Sequence, residues 1–463
     1  MGLALLSTLL YHSVAVSAWK EIRRGGEVSN RWSLRVNPSS GNLHPTETYL
    51  AVRGGADLAD GLYHYRVDRH ALELRREGEA VRAALSAAGR DAPEGVDLVC
   101  IFSTIVWREA WKYRMRAYRY CLLDAGHAGS ALVLAARALG LAGTMLGHFA
   151  DGELAEVLAS REGEELPLLL VPMGAPQAVA SLGVPGARAP RGPASRLGAP
   201  RGRPNRLSKK TIRYEPIEEV HAATSLDSPM GPLPAPPAAA DLARRIATEE
   251  NVTPLPPPRS LDEPLGLLVR RRRSSLDHDP SARLSAANAS AVLSAATYAQ
   301  PCDWGFSLVR LYSWIHAVDG VLPGRYLVLP GARLALLAAG DQREIARHLS
   351  LEQDLAGDGV MAFSLVANFA GAGAAFGLRG YRLAHFEAGA RGHFLYLSAH
   401  AAGIGGTGMG AYYDDETAES LGLDTGQSQP VYHFAAGRPV PDPRLLDVAD
   451  PLGLFPPDER GEI

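Results

Sequence analysis

The chain has 463 residues, 46% of them hydrophobic, a formal net charge of −3 and three cysteines. That length is too great for one core and suits two domains of about 180 residues with a connector. The near-neutral charge argues against a general nucleic-acid binder. Cys100, Cys121 and Cys302 show neither metal-ligand spacing nor a disulfide framework, which points to a reducing cytosol.

In chain order, MGLALLSTLLYHSVAVSAWK is apolar and ends in small residues. It has no positive residue before its apolar run, and Leu5, Leu6, Leu9 and Leu10 share a helix face, so a buried first helix is expected rather than a signal peptide. TYLAV (48–52) and VDLVCIFST (96–104) read as strands, the second apolar almost throughout and therefore central. Tyr118 to Leu139 reads as a core helix, too apolar all round to face water, stopped by Gly140. PLLLVPMG (167–174) is another buried strand. No segment has the length and apolarity of a convincing membrane span.

Residues 179–262 are rich in Pro, Gly and Arg and read as a linker or wrapping arm. Its basic first half is open to two readings, a solvated connector or a contact for an acidic substrate segment. A second domain is expected over 263–445, with a helix at PLGLLVRRRR, a helix at SAANASAVLSAATY, a strand at RYLVL and the strand VYHFAAG (431–437), followed by a tail over 446–463. The first domain spans 1–178.

The two domains are copies. Residues 116–158 align without a gap on 379–421: Tyr118 falls on Tyr381, Arg119 on Arg382, Gly126 on Gly389, and Gly140, Gly143, Thr144, Gly147 and Asp151 fall on Gly403, Gly406, Thr407, Gly410 and Asp414. The copies differ in what they carry. RVNPSSGNLHPTETYLAV (35–52) holds turn formers running into a strand, with small hydroxyls, a Gly and an Asn able to meet a flat polar ring. RRRRSS (270–275) offers guanidinium forks and a hydroxyl, which suit a phosphate as well as a solvated face. GIGGTGMG (403–410) is a glycine-rich turn that a helix stop explains equally well. There is no HExxH and no paired CxxC, so no metal set is expected.

NPSSGNLHPTE, together with WREAWKYRMRAYRYCLLDAGH (107–127), resembles the SagB-type branch of the nitroreductase-like flavoproteins. The resemblance implies an α+β fold, a central sheet packed by helices, in two tandem nitroreductase-like domains forming an intrachain pseudo-dimer. It implies FMN, with Pro38, Ser39, Ser40 and Asn42 at the isoalloxazine and His44 in the same loop. Arg272, Arg273 and Ser274 match the start of the phosphate cluster, although Leu276 stands where a basic residue is usual. Gly405, Gly406, Thr407 and Gly408 would line the flavin, and Arg438 would add a phosphate contact.

The same resemblance makes Lys112 and Tyr113 the catalytic pair of an azoline dehydrogenase: a base removes a proton from carbon and a hydride passes to flavin N5. The base must be neutral, which asks for burial or for nearby cations such as Arg108, Arg114 and Arg116. In the second copy Ala375 and Phe376 stand at the pair's positions, and the counterpart of Arg438 in the first copy is Ala175. One FMN per polypeptide follows from these complementary losses. The expected substrate is a peptide or small molecule, with other peptide-modifying enzymes as partners. Two alternatives stand beside this reading: an NAD(P)H-dependent nitro- or quinone reductase, and a non-catalytic peptide-binding scaffold.

Overall fold

The computed structural model describes residues 2–24, 27–55, 57–160, 163–182, 196–202, 205, 208, 210–229, 251–260, 262–442 and 446–448. The basic run 183–195 of the expected arm, its stretch 230–250 and the tail from 449 lie outside the described residues.

The chain divides into two compact units. One comprises Met1–Pro234, Gln300–Gly305 and Asp447–Ile463; the other comprises Ala235–Ala299 and Phe306–Leu446. In the first unit, helix Leu3–Tyr11 buries Leu6, Leu9 and Leu10, the face that the leucine spacing marks. A hairpin follows, β1 (Val16–Arg24) with β2 (Glu27–Arg35). The main sheet has six strands: β3 (Thr46–Val52), β4 (Gly61–Arg66), β5 (Ala71–Glu77), β6 (Val96–Thr104), β7 (Ala142–Gly143) and β8 (Leu166–Gly174). Their order is β5-β4-β3-β6-β8-β7, with antiparallel pairing throughout. β6 is central, as its unbroken apolar run requires.

The helix Ala117–Ala138 packs on this sheet and is buried nearly all round. Burial on every side leaves no polar face, which is why its sequence has none. Gly140 follows it at φ +78°, the left-handed turn that glycine takes at least cost. Described parts of the arm lie on this unit: Gly198 N donates to Glu77 O, Arg201 N to Arg75 O and Leu226 N to Asp151 Oδ2.

The second unit repeats the plan. Its strands are β9 (Val252–Pro254), β10 (Val309–Ile315), β11 (Gly324–Leu329), β12 (Arg333–Ala339), β13 (Met361–Asn368), β14 (Gly405–Met409) and β15 (Ser428–Gly437). The order β14-β15-β13-β10-β11-β12-β9 is the first sheet's order with β9 added at one edge. The helix Gly380–Ala401 matches Ala117–Ala138. Two expectations change. The glycine-rich segment is a strand rather than a turn, because its register with β15 (Gly405 opposite Gly437, Met409 opposite His433) ties its backbone into the sheet. The helix before the arginine run, Leu265–Arg271, ends at Arg271, so Arg272, Arg273 and Ser274 lie in extended chain beyond it.

Gln300–Gly305 is part of the first unit although the chain on either side of it builds the second. Asp303 is buried, accepts Gly147 N at 2.8 Å and His148 N at 3.1 Å, and lies 3.8 Å from Arg90.

Candidate active site

The loop between β2 and β3 is shaped by its turn formers. Gly41, Asn42 and His44 all have positive φ, at 52°, 58° and 50°; glycine adopts this freely and asparagine with modest cost. Pro38 is buried, and Asn42 ties the loop to the hairpin by donating to Ser33 O at 2.9 Å and meets His44 Nε2 through its Oδ1. The anchor lies deeper. Asp124, buried on the long helix, accepts Ser39 Oγ at 2.5 Å and Ser40 N at 3.1 Å, while Ser39 Oγ in turn accepts His44 N at 2.9 Å.

This anchoring sets Gly41 beside the expected catalytic pair. A Cβ on Gly41 would collide with Tyr113 Oη and lie 3.1 Å from Lys112 Nζ. The two come from the short helix Trp107–Tyr113, with Lys112 Nζ 4.9 Å from the Tyr113 ring centre and Tyr113 edge-on to Tyr120. Lys112 is exposed, so the burial that a neutral lysine would use is not present. Of the three expected cations, Arg108 is committed to Glu47 and Arg116 to a hydrogen bond with Tyr120. Arg114 has φ 52° and ψ −134°, a conformation that costs free energy for any residue with a Cβ; its repeat counterpart is Gly377, at φ 54° and ψ −147°.

Two carboxyls behind the pair were not singled out from the sequence. Glu109 is fully buried and neither of its oxygens has a hydrogen-bond partner. Burial, then the charge of Asp124, raises its pKa far above the carboxylate range, with Lys112 opposing. Burial also pushes Asp124 up, to about 7, against the Ser39 and Ser40 hydrogen bonds and Arg35, which pull it down. The repeat carried a signal for Asp124, since Glu387 stands at its position in the second copy. A lone Glu on a short helix carried none.

A cavity of about 370 Å³ is lined by Arg35, His44, Glu47, His64 and Arg108 among others. Burial works to raise the Glu47 pKa, but a 2.6 Å hydrogen bond from His64, with Arg108 and Arg35, outweighs it and holds the carboxyl at about 2.

In the second unit, Arg272 is buried over the Tyr396 ring at 5.0 Å, and burial drags its pKa down to about 10. Ser274 Oγ lies 3.0 Å from Tyr396 Oη, and Arg273 N donates to His400 Nε2. Ser275 N donates to Gly406 O, and Thr407 Oγ1 donates to Ser275 O, so the arginine run and the glycine strand form one structure. The glycines there answer to the sheet beneath them: a Cβ on Gly405 would lie 2.5 Å from Ser275 Oγ, one on Gly406 2.5 Å from Phe434, and one on Gly408 would collide with Tyr432. Arg438 is exposed and paired with Asp279 at 3.3 Å.

Among the described residues there is no cluster of three or more metal-ligating side chains, and no helix is long and apolar enough to cross a membrane.

Two sheets of one strand order, each packed by a long buried helix, define a tandem α+β oxidoreductase fold. The chain belongs to the Nitroreductase family, whose profile matches residues 15–175 and 269–438, and it is an FMN-type oxidoreductase. It is 30% identical to the nitroreductase-like protein MJ1384 of Methanocaldococcus jannaschii over 148 residues, 32% of this chain and 73% of that one. It is 34% identical over 110 residues to the trifolitoxin-processing protein TfxB of Rhizobium leguminosarum bv. trifolii, covering 22% of this chain and 30% of TfxB. The fold matches the crystal structure of a nitroreductase-like protein from Anabaena variabilis with a TM-score of 0.77 at 24% identity, over 94% of this chain and 88% of that chain.

Proposed function

We propose that the chain is a SagB-type dehydrogenase that oxidises an azoline-like ring in a peptide or related natural product. The observation that carries this reading is Gly41 held against Lys112 Nζ and Tyr113 Oη by the Asp124 anchor. Similarity to TfxB, a trifolitoxin-processing protein by name, supports partner enzymes and a peptide or related natural product as substrate.

The residues present fit FMN. A buried guanidinium at Arg272, costly to keep charged, gains from a dianionic phosphate, and Arg273 and Ser274 continue the same extended segment. Ser39, Ser40, Asn42 and Pro38 would meet the ring; Gly405, Gly406, Thr407 and Gly408 would offer backbone, and Arg438 would reach the phosphate only by leaving Asp279. The cofactor supplies the two-electron acceptor. Lys112 Nζ takes the carbon-bound proton of the azoline, and Tyr113 Oη, which fills the space beside Gly41, orients the ring. The ring loop is carried by one copy and the arginine cluster by the other, so one FMN per polypeptide is expected.

The test is an absorbance spectrum of gently purified protein followed by turnover of an azoline peptide. One flavin per chain and oxidation that Lys112→Ala abolishes are the expected results. Colourless protein overturns the enzyme reading. Rapid bleaching by NAD(P)H, with no azoline oxidation, replaces the dehydrogenase with a reductase.

A further inference from the structure

The proposed chemistry uses Lys112 and Tyr113 and leaves unexplained the two carboxyls buried behind them. Glu109 lies one helical turn before Lys112, fully buried, with both oxygens unpartnered. A charge in that position would be costly, whereas a protonated acid is tolerated. Asp124 sits on the facing helix, 3% exposed, and its oxygens hold Ser39 Oγ and Ser40 N.

We propose that Glu109 and Asp124 are positioning residues: Glu109 keeps its proton in a buried site that offers its oxygens no partner, and ionised Asp124 clamps Ser39 and Ser40 so that Gly41 stays against Lys112 and Tyr113. Its catalytic consequence rests on the reading of Lys112 and Tyr113 given above; the protonation of Glu109 does not.

The second unit carries a control for the geometry. Glu387, at the position of Asp124, accepts Ser307 Oγ and Leu308 N, each at 2.7 Å, immediately before β10. The clamp is therefore part of the shared fold. Glu387 also has a cation of its own, Arg391, donating at 2.9 Å. The residue at that place in the first unit is Ala128, and Glu109 is matched by Ala372. The first unit has thus given the clamp a second acid in place of a base.

The groups facing the pair fix the sign of its response. Asp124 holds the two serine donors and feels the charge of Arg35 on β2; the charge of Lys112 acts on Glu109 from its own helix, and a charge on Glu109 would act on Tyr120 and Cys121 of the long helix. Arg35 and the donors favour charge on Asp124, whereas Glu109, buried with no donor to its oxygens, keeps its proton. Below neutrality Asp124 also takes a proton and its two bonds lose their charge assistance.

Infrared difference spectra of the flavin-loaded protein at about pH 8 read the pair directly, since free carboxyls are ionised there. A protonated-carboxyl signal that disappears in Glu109→Gln is expected; a signal that Glu109→Gln leaves intact, or no signal, overturns the proposal. Hydrogen exchange at the Ser40 amide reads the clamp: about tenfold less protection is expected in Asp124→Asn, the worth of one hydrogen bond to a charged acceptor. Wild-type protection in that variant also overturns it. Turnover supplies the third reading. The kcat for an azoline peptide should rise through about pH 7 in the wild type, and Asp124→Asn should flatten that rise with KM unchanged. Should Asp124→Asn fail to fold, Ser39→Ala removes one anchor alone, and unaltered Ser40 protection there is equally damaging. If no azoline is oxidised while the infrared and exchange results hold, the carboxyl pair stands and only the dehydrogenase reading falls.

Discussion

The two long helices meet the same problem with different chemistry. Each buries a carboxylate that catches a serine hydroxyl and the next backbone N–H, fixing the loop that leads into the strand beside the central one. Glu387 has Arg391 four residues on, and the pair is 9% exposed on both sides, so its anion is matched where it is made. Asp124 has Ala128 there and Glu109 close by. One clamp is built to hold, the other to respond to protons. The comparison teaches that a duplicated fold keeps its joints and varies the charge around them. The same division runs along the short helices and the residue after each, where Glu109, Lys112, Tyr113 and Arg114 correspond in the repeat to Ala372, Ala375, Phe376 and Gly377.

The comparison breaks most decisively at Lys112. Removing its amine by Lys112→Ala should cut azoline turnover by about a hundredfold or more while leaving flavin bound, as loss of a general base does; turnover near the wild-type rate would return the pair to the surface. Next comes the second clamp. Arg391→Ala strips Glu387 of its cation and should cost about 3 kcal/mol in denaturant unfolding at neutral pH, because it leaves a buried charge uncompensated.

Glu109→Gln should act in the opposite direction. The folded-state pKa of Glu109 is raised, so native protein holds a proton that the unfolded chain releases, and stability falls as pH rises above the ordinary carboxylate range. Glutamine removes that penalty, so the variant should gain on the order of 1–3 kcal/mol more at pH 8 than at pH 5. Equal effects at both pH values would mean that Glu109 is ionised. Glu47 supplies the contrary sign: its pKa is depressed to about 2, so its contribution is present above the normal glutamate range and lost as pH falls through about 2. Glu47→Gln should therefore flatten the acid limb of the stability curve. The smallest effect is expected at Arg114→Gly, a gain of about 1 kcal/mol from relieving a backbone conformation that the second unit already assigns to glycine.

Much of the fold was legible because it is written in long apolar runs. VDLVCIFST could only be a central strand, and the Ala- and Leu-rich helix only a core element. The loop and the Lys112–Tyr113 pair were legible as motifs, and the structure brings Gly41 to that pair. What sequence reasoning missed depends on contacts between distant positions. Glycines spaced like a loop proved to be a strand because Phe434 and Tyr432 leave no room for side chains above them. Four consecutive arginines gave no sign that the helix would end at Arg271 and bury Arg272 against Tyr396. Glu109 was invisible for the same reason, since burial of a lone acid is a property of its neighbours.

Asp303 gives the architecture a practical meaning. The carboxylate that meets Arg90 and caps Gly147 and His148 is contributed by a short excursion of chain flanked on both sides by residues of the other unit. Cutting the polypeptide in the connector would not yield two self-sufficient halves. The upstream fragment would carry a cationic socket whose counterion is encoded more than a hundred residues downstream, and a peptide spanning Gln300–Gly305 should raise its stability more than the same peptide with Asp303→Asn does.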